Sequence, residues 1–199
     1  MIKAVVFDYG GVLAELPSGG WIGCLAKMLG MSEDELSPHW NKAVTAGFST
    51  GKLDETAFWQ ILEDSLGKQL PDNKQQIWIE GSALEPVPEM LEIAKRLRQS
   101  GLQTAILSNT VEPFSRLLHK INVFVDDFSP AIFSHEVGLA KPDKAIYQLM
   151  LDRINLRAEE CVFIDDLPHN VAAARELGMT GLDFESIGKL KADLKKVLL

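Results

Sequence analysis

Residues 4–11, Ala-Val-Val-Phe-Asp-Tyr-Gly-Gly, join a short apolar run to an aspartate and a glycine turn. The same design recurs in residues 104–109, Thr-Ala-Ile-Leu-Ser-Asn, and in residues 161–166, Cys-Val-Phe-Ile-Asp-Asp. Such short runs, rich in β-branched and aromatic residues, are typical of strands buried on both faces of a parallel sheet. Because ligands bind at the carboxyl ends of these strands, one crevice is predicted to collect several polar side chains. They are Asp8, Ser108, Asn109, Asp165 and Asp166.

Helical periodicity separates these runs after residue 85, where helices alternate with strands and the last predicted element is a strand at residues 180–183. Right-handed crossovers would place all the strands in one doubly wound parallel sheet. The stretch from about Pro17 to Leu84 is helical and has no convincing strand. The sequence therefore predicts an α/β core domain, residues 1–15 and 85–199, with a small helical cap domain, residues 16–84, inserted into it.

Within the predicted cap, Ser32 and Asp54 are the expected N-caps of two helices. Its large side chains are expected to pack mostly in its own core, and the one expected to face the active site is Trp21. These side chains are Trp21, Trp40, Phe48, Phe58 and Trp59.

The composition limits the function classes. A chain of 199 residues that is 46% hydrophobic and 24% charged is expected to fold around a core rather than stay disordered. A formal net charge of −8 argues against a nucleic-acid-binding surface. Neither a secretion signal nor a membrane span is recognisable, and Cys24 and Cys161 form no disulfide or metal pattern. We expect a cytoplasmic monomer or homodimer without nucleic-acid or membrane partners.

Asp8 is suited to nucleophilic attack, since a carboxylate is ionised at pH 7 and needs no base. Asp165 and Asp166 would repel Asp8 at close range unless a cation lay among the three, and hard oxygen ligands favour Mg²⁺. An alternative is that Asp165 and Asp166 only cap a helix that begins near Pro168.

Lys141 lies in the turn Gly-Leu-Ala-Lys-Pro-Asp, residues 138–143. Pro142 stiffens this turn and Asp143 is expected to cap the next helix, so Lys141 is predicted to neutralise a phosphate or the nucleophile. The alternative is a solvated surface lysine. The Ser108 hydroxyl and the Asn109 amide are predicted phosphate donors.

Four segments in order resemble the motifs of the haloacid dehalogenase-like (HAD-like) superfamily of hydrolases, and the resemblance covers nearly the whole chain. The segments are Phe-Asp-Tyr-Gly-Gly-Val (7–12), Leu-Ser-Asn-Thr (107–110), Gly-Leu-Ala-Lys-Pro-Asp (138–143) and Phe-Ile-Asp-Asp-Leu-Pro-His-Asn-Val (163–171). The helical stretch resembles the cap of the subgroup that holds many small-molecule phosphatases.

The resemblance implies attack by Asp8 on phosphorus to give an aspartyl-phosphate, with the transferring group stabilised by Lys141, Ser108 and Mg²⁺. The substrate would be a small phosphorylated metabolite, such as a sugar phosphate. The implied metal ligands are Asp8, the Gly10 carbonyl, Asp165 and, through a water, Asp166.

The chain departs from the phosphatase pattern at Gly10, where that pattern has a second aspartate that protonates the leaving oxygen and later activates water. A positioned acid or base contributes about 10²–10⁴ in rate, so we expect reduced or specialised activity. Either the substrate has a good leaving group, such as an anomeric sugar phosphate or an acyl phosphate, or His169 or Glu15 replaces the acid.

Two other functions compete with phosphate ester hydrolysis. A non-catalytic regulatory protein could keep the phosphate and metal site, although the retained Asp8 and Lys141 argue for chemistry. The chain resembles the 2-haloacid dehalogenases of the superfamily less, because they work without a metal and this chain keeps the acidic pair Asp165-Asp166.

Overall fold

A five-stranded parallel sheet organises the structure, a computed structural model that describes residues 1–15, 20–81, 85–121 and 123–198. Its strand order is β5-β4-β1-β6-β7, and a separate two-stranded antiparallel pair joins β2 to β3. In chain order the strands are β1 (Ala4–Phe7), β2 (Ala14–Glu15), β3 (Glu85–Pro86), β4 (Gln103–Ser108), β5 (Ala131–Phe133), β6 (Cys161–Asp165) and β7 (Thr180–Asp183).

The sheet is buried on both faces, as the apolar runs predict. Val5 and Phe7 pack into one hydrophobic cluster, and Ala4 and Val6 pack into a second cluster on the other face. Because helices cover both faces of a parallel sheet, the predicted doubly wound α/β fold is confirmed.

In the parallel register, the carboxyl ends of β1, β4 and β6 lie side by side. Phe7 lies beside Ile106 of β4 and Ile164 of β6, and the Asp8 N–H donates to the Ile164 carbonyl at 2.8 Å. The residues that follow these strands therefore meet at one edge of the sheet.

Ten α-helices accompany the strands in the described part of the chain. They are α1 (Gly20–Leu29), α2 (Glu33–Thr45), α3 (Glu55–Leu66), α4 (Gln76–Glu80), α5 (Pro88–Gln99), α6 (Glu112–Ile121), α7 (Ser134–Val137), α8 (Lys144–Ile154), α9 (Pro168–Glu176) and α10 (Ile187–Leu198). Short 3-10 helices lie at Phe48–Thr50, Val123–Asp127 and Ala158–Glu160. The predicted final strand at residues 180–183 is confirmed as β7, and α10, which was not predicted, follows it and buries Leu190 and Leu194, one turn apart.

Helices α1 to α4 lie in the helical segment, defined here as residues 20–81. Its predicted N-caps are confirmed, since the Ser32 hydroxyl accepts from the Glu35 N–H and the Asp54 carboxylate accepts from the Ala57 N–H. Both limits of the predicted cap domain, residues 16 and 84, lie outside the described residues, so that division stays a prediction.

Two contacts tie the helical segment to the sheet. The strands on either side of the segment pair with each other, Glu15 opposite Glu85, and the Val87 N–H donates to the Leu13 carbonyl at 2.9 Å. Farther along, the Ser134 hydroxyl lies 2.6 Å from the Ser49 carbonyl of the segment. The segment is therefore held near the carboxyl edge of the sheet at both places.

Candidate active site

The turn after β1 fixes Asp8 at the edge of the sheet. The Tyr9 N–H donates to Asp8 Oδ1 at 2.7 Å, and the Tyr9 carbonyl accepts from the Leu13 and Ala14 N–H groups. Gly11 has a φ of +78°, and a Cβ there would lie 2.5 Å from Asp166 Oδ2. A glycine is therefore required at position 11, both by the backbone conformation and by the close approach of Asp166.

Gly10 differs from its neighbour. A Cβ at this position would meet no heavy atom within 4 Å, and its φ is not in the left-handed region. The absence of a side chain at position 10 is therefore not imposed by the packing around it.

Lys141 is buried, with 4% of its surface exposed, so the surface-lysine alternative is wrong. Its Nζ lies 2.9 Å from Asp8 Oδ1 and 2.6 Å from Asp165 Oδ2, and it stands 5.5 Å from the centre of the Phe163 ring. Burying these charges costs free energy, and the close contact between the ammonium and the two carboxylates offsets part of that cost. Lys141 therefore neutralises the carboxylate predicted to be the nucleophile.

Asn109 holds the loop that carries Lys141. Its Nδ2 donates to the Lys141 carbonyl and its Oδ1 accepts from the Lys141 N–H, each at 2.8 Å. One Nδ2 hydrogen thus positions the Lys141 loop. That the second Nδ2 hydrogen contacts the phosphate stays a prediction. Asp143 caps α8 as expected, since its side chain accepts from the Ala145 N–H.

Asp165 is fully buried at the end of β6. Its Oδ1 accepts from the Leu167 N–H at 2.9 Å, and the Asn170 side-chain amide lies 3.0 and 3.1 Å from its two oxygens. The capping alternative for Asp165 and Asp166 is wrong, because α9 is preceded by Leu167 and has no side-chain cap.

Asn170 is a site residue that sequence reasoning missed. It lies in the first turn of α9, is 2% exposed, and keeps a buried Oδ1 without a partner among the described residues. A polar residue five positions after Asp165, at the start of a helix, was the signal available. Because a buried oxygen normally accepts a hydrogen bond, the unpaired Oδ1 indicates that a ligand of this site would contact it.

Asp8, Asp165 and Asp166 each offer an oxygen within 4.8 Å of the others, the one such acidic cluster among the described residues. Burial raises the pKa of Asp8 to about 6, with Lys141 opposing the rise and Asp165 adding to it. The pKa of Asp166 is also raised, by partial burial and then by Asp165. Three carboxylates that offer hard oxygen donors so close together are a donor set that fits Mg²⁺.

A cavity of about 370 Å³ opens over this cluster. Among the described residues it is lined by Asp8, Tyr9, Gly10, Gly20, Trp21, Ile22, Trp40, Asn109, Phe114, Lys141, Asp166, Leu167 and Asn170. A larger depression of about 650 Å³, beside Lys3 and Ser100, lies at the amino end of β1 and contains none of the predicted site residues. The predicted crevice is thus the one at the carboxyl ends of the strands.

Ser108 and Asp165 are not among the residues named as lining this cavity. Ser108 is 4% exposed at the end of β4 and Asp165 lies behind Lys141. Glu15 and His169, the proposed replacements for the missing acid, do not line it either. The structure thus gives no support to that replacement.

The prediction that Trp21 faces the site is confirmed, and Trp40 joins it. Phe48, Phe58 and Trp59 are buried in the core of the helical segment, as expected, with Phe48 and Phe58 stacked at 4.3 Å. Sequence reasoning missed the aromatic contributions of Tyr9 and Phe114, because their positions only indicated core packing.

A sequence profile of the haloacid dehalogenase-like hydrolases matches residues 2–178. The chain belongs to this family. The matched range includes the strand ends and the buried Lys141 described above.

Known HAD-like relatives differ in length from this chain. Bifunctional epoxide hydrolase 2 of Sus scrofa is 28% identical over 98% of the chain, but the match spans only 39% of that protein. The D-ribitol-5-phosphate phosphatase of Bacteroides thetaiotaomicron is 26% identical over 100% of the chain and 99% of its own length. This HAD-like hydrolase is thus similar to one part of the first protein and to the whole of the second.

A HAD family enzyme of Bacteroides thetaiotaomicron, solved in complex with magnesium and inorganic phosphate, has the same fold. It superposes with a TM-score of 0.76 at 23% identity, over 96% of this chain and 99% of that one. None of the helices described for our HAD-like hydrolase is long and apolar enough to cross a membrane.

Proposed function

We propose that the protein is a Mg²⁺-dependent phosphohydrolase that acts on small phosphorylated metabolites through an aspartyl-phosphate on Asp8. The observation that carries this proposal is the placement of Asp8, 2.9 Å from buried Lys141 and within a cluster of three carboxylates, at a cavity of substrate size. The full-length similarity to a ribitol phosphate phosphatase and the fold shared with an enzyme that binds magnesium and phosphate support it.

The two oxygens of Asp8 are not equivalent. Oδ1 accepts from the Tyr9 N–H and from Lys141, whereas no hydrogen bond is made to Oδ2 by the described residues. Oδ2 therefore keeps its lone pairs for attack, and the two donors on Oδ1 hold the carboxylate in one orientation.

In the proposed reaction Asp8 forms a bond to phosphorus while the bond from phosphorus to the leaving oxygen breaks, and that oxygen takes the electron pair. Water then attacks phosphorus, which restores the Asp8 carboxylate and releases inorganic phosphate. Lys141 offsets the charge of the transferring group in both steps, and the Ser108 hydroxyl is proposed to donate to it.

The residues that would hold Mg²⁺ are Asp8, Asp165, the Gly10 carbonyl and, through a water, Asp166. When bound, the ion supplies positive charge that lets the carboxylates and a phosphate dianion come together. Lys141 already neutralises part of this cluster, so its loss would expose two buried carboxylates to each other.

Gly10 limits the chemistry. Apart from the carboxylates of the metal cluster, no lining residue that the structure describes carries a carboxylic acid for the leaving oxygen. We infer that the substrate has a leaving group that departs without protonation, such as an acyl phosphate or an anomeric sugar phosphate.

The helical segment is proposed to act as a cap that excludes water during the reaction. Its contacts at Ser134 and at the β2–β3 pair set its position over the strand ends. The oligomeric state, monomer or homodimer, stays a prediction.

The test is Mg²⁺-dependent phosphate release across a panel of phosphorylated metabolites that includes acetyl phosphate, with Asp8→Asn as the matched inactive variant. We expect release by the native protein, its loss with a chelator, and its loss in Asp8→Asn. If the native protein binds Mg²⁺ and phosphate but releases none from any substrate, the phosphatase proposal fails and a non-catalytic binding protein is favoured.

A further inference from the structure

We propose that the substrate is an aryl phosphate, so that the leaving group is a phenolate bound against aromatic side chains. This inference rests on the proposed phosphatase function and concerns the same cavity. Two independent features carry it, the chemistry of the cavity wall and the absence of a proton donor at position 10.

The aromatic wall is defined as Tyr9, Trp21, Trp40 and Phe114. Ile22 and Leu167 are the aliphatic residues beside it in the cavity lining. The only polar atoms in these six side chains are the Tyr9 hydroxyl oxygen and the indole nitrogens of Trp21 and Trp40. Three such groups could replace only some of the hydrogen bonds to water that a sugar or polyol would lose here, whereas an aromatic ring would gain by leaving water.

The polar side chains of the lining belong to the proposed metal and phosphate site. Lys141 pairs with two carboxylates, Asn109 holds the Lys141 loop, and Asn170 donates to Asp165. These groups lie on the phosphate side of the cavity, at the strand ends. They offer no second polar surface at the place where a leaving group would sit.

The wall is ordered by its own contacts. The Trp21 ring meets Phe114 edge to face at 5.2 Å and Trp78 at 5.5 Å. Gly81 makes room for Trp21, since a Cβ there would lie 2.6 Å from Trp21 Cδ1. Trp21 is thus held in one orientation and presents most of the exposed ring surface, since Tyr9, Phe114 and Trp40 are 1%, 3% and 5% exposed. A fixed ring is what offset or edge-to-face binding of another ring requires.

Gly10 supplies the second constraint. An alkoxide leaves badly without a proton, but a phenolate is stable enough to leave alone, because phenols have a pKa of about 10. The cavity, at about 370 Å³, is at the small end of the range for small-molecule sites. A ring with one phosphate matches both the wall and the missing acid.

The test compares four substrates as kcat/KM with Mg²⁺ present. Phenyl phosphate has the ring and the good leaving group, benzyl phosphate has only the ring, acetyl phosphate has only the leaving group, and glucose 6-phosphate has neither. We expect phenyl phosphate to exceed each of the other three by about tenfold or more. A value for glucose 6-phosphate equal to or above that for phenyl phosphate overturns the proposal.

The two proposals fail in different ways. Asp8-dependent turnover of acetyl phosphate without any advantage for phenyl phosphate overturns the aryl assignment and leaves the phosphatase function standing. No turnover of any of the four substrates, together with none across the metabolite panel, overturns the phosphatase function itself.

Two variants test whether the aromatic wall causes the expected preference for phenyl phosphate. We expect Trp21→Ala to lower kcat/KM for phenyl phosphate about tenfold or more while changing that for acetyl phosphate less than threefold. Met28→Ala, which removes another half-buried side chain of α1 that does not line the cavity, should change neither. Inhibition by benzylphosphonate, which needs no chemistry, should weaken in Trp21→Ala and not in Met28→Ala, and equal weakening in both would contradict a role for the wall.

Discussion

The cavity has two unlike sides. The floor is defined as Asp8 and Lys141, which line the cavity, together with Asp165, which does not line it but pairs with Lys141; both carboxylates lie within 2.9 Å of the Lys141 Nζ. The aromatic wall comes from the turn after β1, from α6 and from two helices of the helical segment. Tyr9 and Trp21 both meet Phe114 through ring contacts, and Trp78 contacts both Trp21 and Trp40. On the proposed function, a change of charge in the floor should abolish the reaction, whereas a change in the wall should alter the choice of substrate.

The largest effect should come from Lys141→Met, which leaves two buried carboxylates without their cation. We expect phosphate release to be lost and the free energy of unfolding of the metal-free protein to fall by about 3–5 kcal/mol, the cost of breaking a buried pair. Urea denaturation and a phosphate assay measure the two effects.

Lys144→Met is the matched control, because Lys144 pairs with Glu176 on the surface. A surface pair contributes at most about 1 kcal/mol, so this variant should keep both activity and stability. Equal effects of the two substitutions would contradict the contrast between a buried floor and the rest of the molecule.

Gly10→Asp tests whether the missing acid at position 10 limits the choice of leaving group. The position has room for a Cβ, and an added acid should raise kcat/KM for alkyl phosphates by about 10²–10⁴ while changing that for phenyl phosphate much less. Rates for benzyl and phenyl phosphate in both proteins measure this. Gly11→Asp, which would place a Cβ 2.5 Å from Asp166 at a φ of +78°, should lose activity, and a gain there instead would contradict our interpretation of the turn.

Ser134→Ala should weaken the contact between the helical segment and the loop that follows β4. The Ser134 hydroxyl accepts from the Thr110 N–H at 2.9 Å and lies 2.6 Å from the Ser49 carbonyl, so it links the segment to the loop after Asn109. We expect a loss of about 1 kcal/mol in the free energy of unfolding. Thermal denaturation measures this loss, and the control Ser37→Ala, which removes an exposed hydroxyl within α2, should cause none.

The smallest effect concerns a carboxylate outside the cavity. Hydrogen bonds from Lys3 and Arg157 lower the pKa of Glu160 to about 2, the reverse of the rise to about 6 at Asp8. A lowered folded-state pKa gives stability that is present above the unfolded value of 4.5 and is lost as the pH falls towards 2.

Glu160→Gln should therefore lower the Tm at pH 7, and the difference from the native protein should shrink as the pH falls below about 4.5. For Asp8 the sign is opposite, because a raised pKa gives stability below the unfolded value that is lost as the pH rises through about 6. Asp8→Asn should thus gain in Tm relative to the metal-free native protein between pH 4 and pH 7, and parallel Tm curves would contradict the contrast.

The floor could be predicted from sequence and the wall largely could not. Strand ends of a parallel sheet converge for any sequence with that pattern, so Asp8 and Asp165 were predictable, and Lys141 was predictable from the turn that Pro142 and Asp143 hold. Tyr9 and Phe114 come from separate elements that meet only after tertiary packing, and local periodicity assigns them to the core. Asn109 and Asn170 were visible as polar residues, but their roles depend on hydrogen bonds across 32 and 5 positions of the chain.

The helix α10 shows a different kind of omission. Its spacing of Leu190 and Leu194 was in the sequence, but it follows the last strand and carries no site residue. It packs against the same cluster as Val5 and Phe7, so it completes one face of the sheet. Polar residues at strand ends predict the site but carry no information about a helix that lies beyond the last strand.

The most direct test of the central claim, that Asp8 carries the phosphoryl group, is rapid acid quench of the protein with acetyl phosphate and Mg²⁺, followed by mass spectrometry of the peptide that contains Asp8. Because Gly10 provides no base for the water step, we expect the phosphorylated peptide to accumulate during turnover and to be absent in Asp8→Asn, which should release no phosphate. Phosphate release by Asp8→Asn at the native rate would contradict the claim.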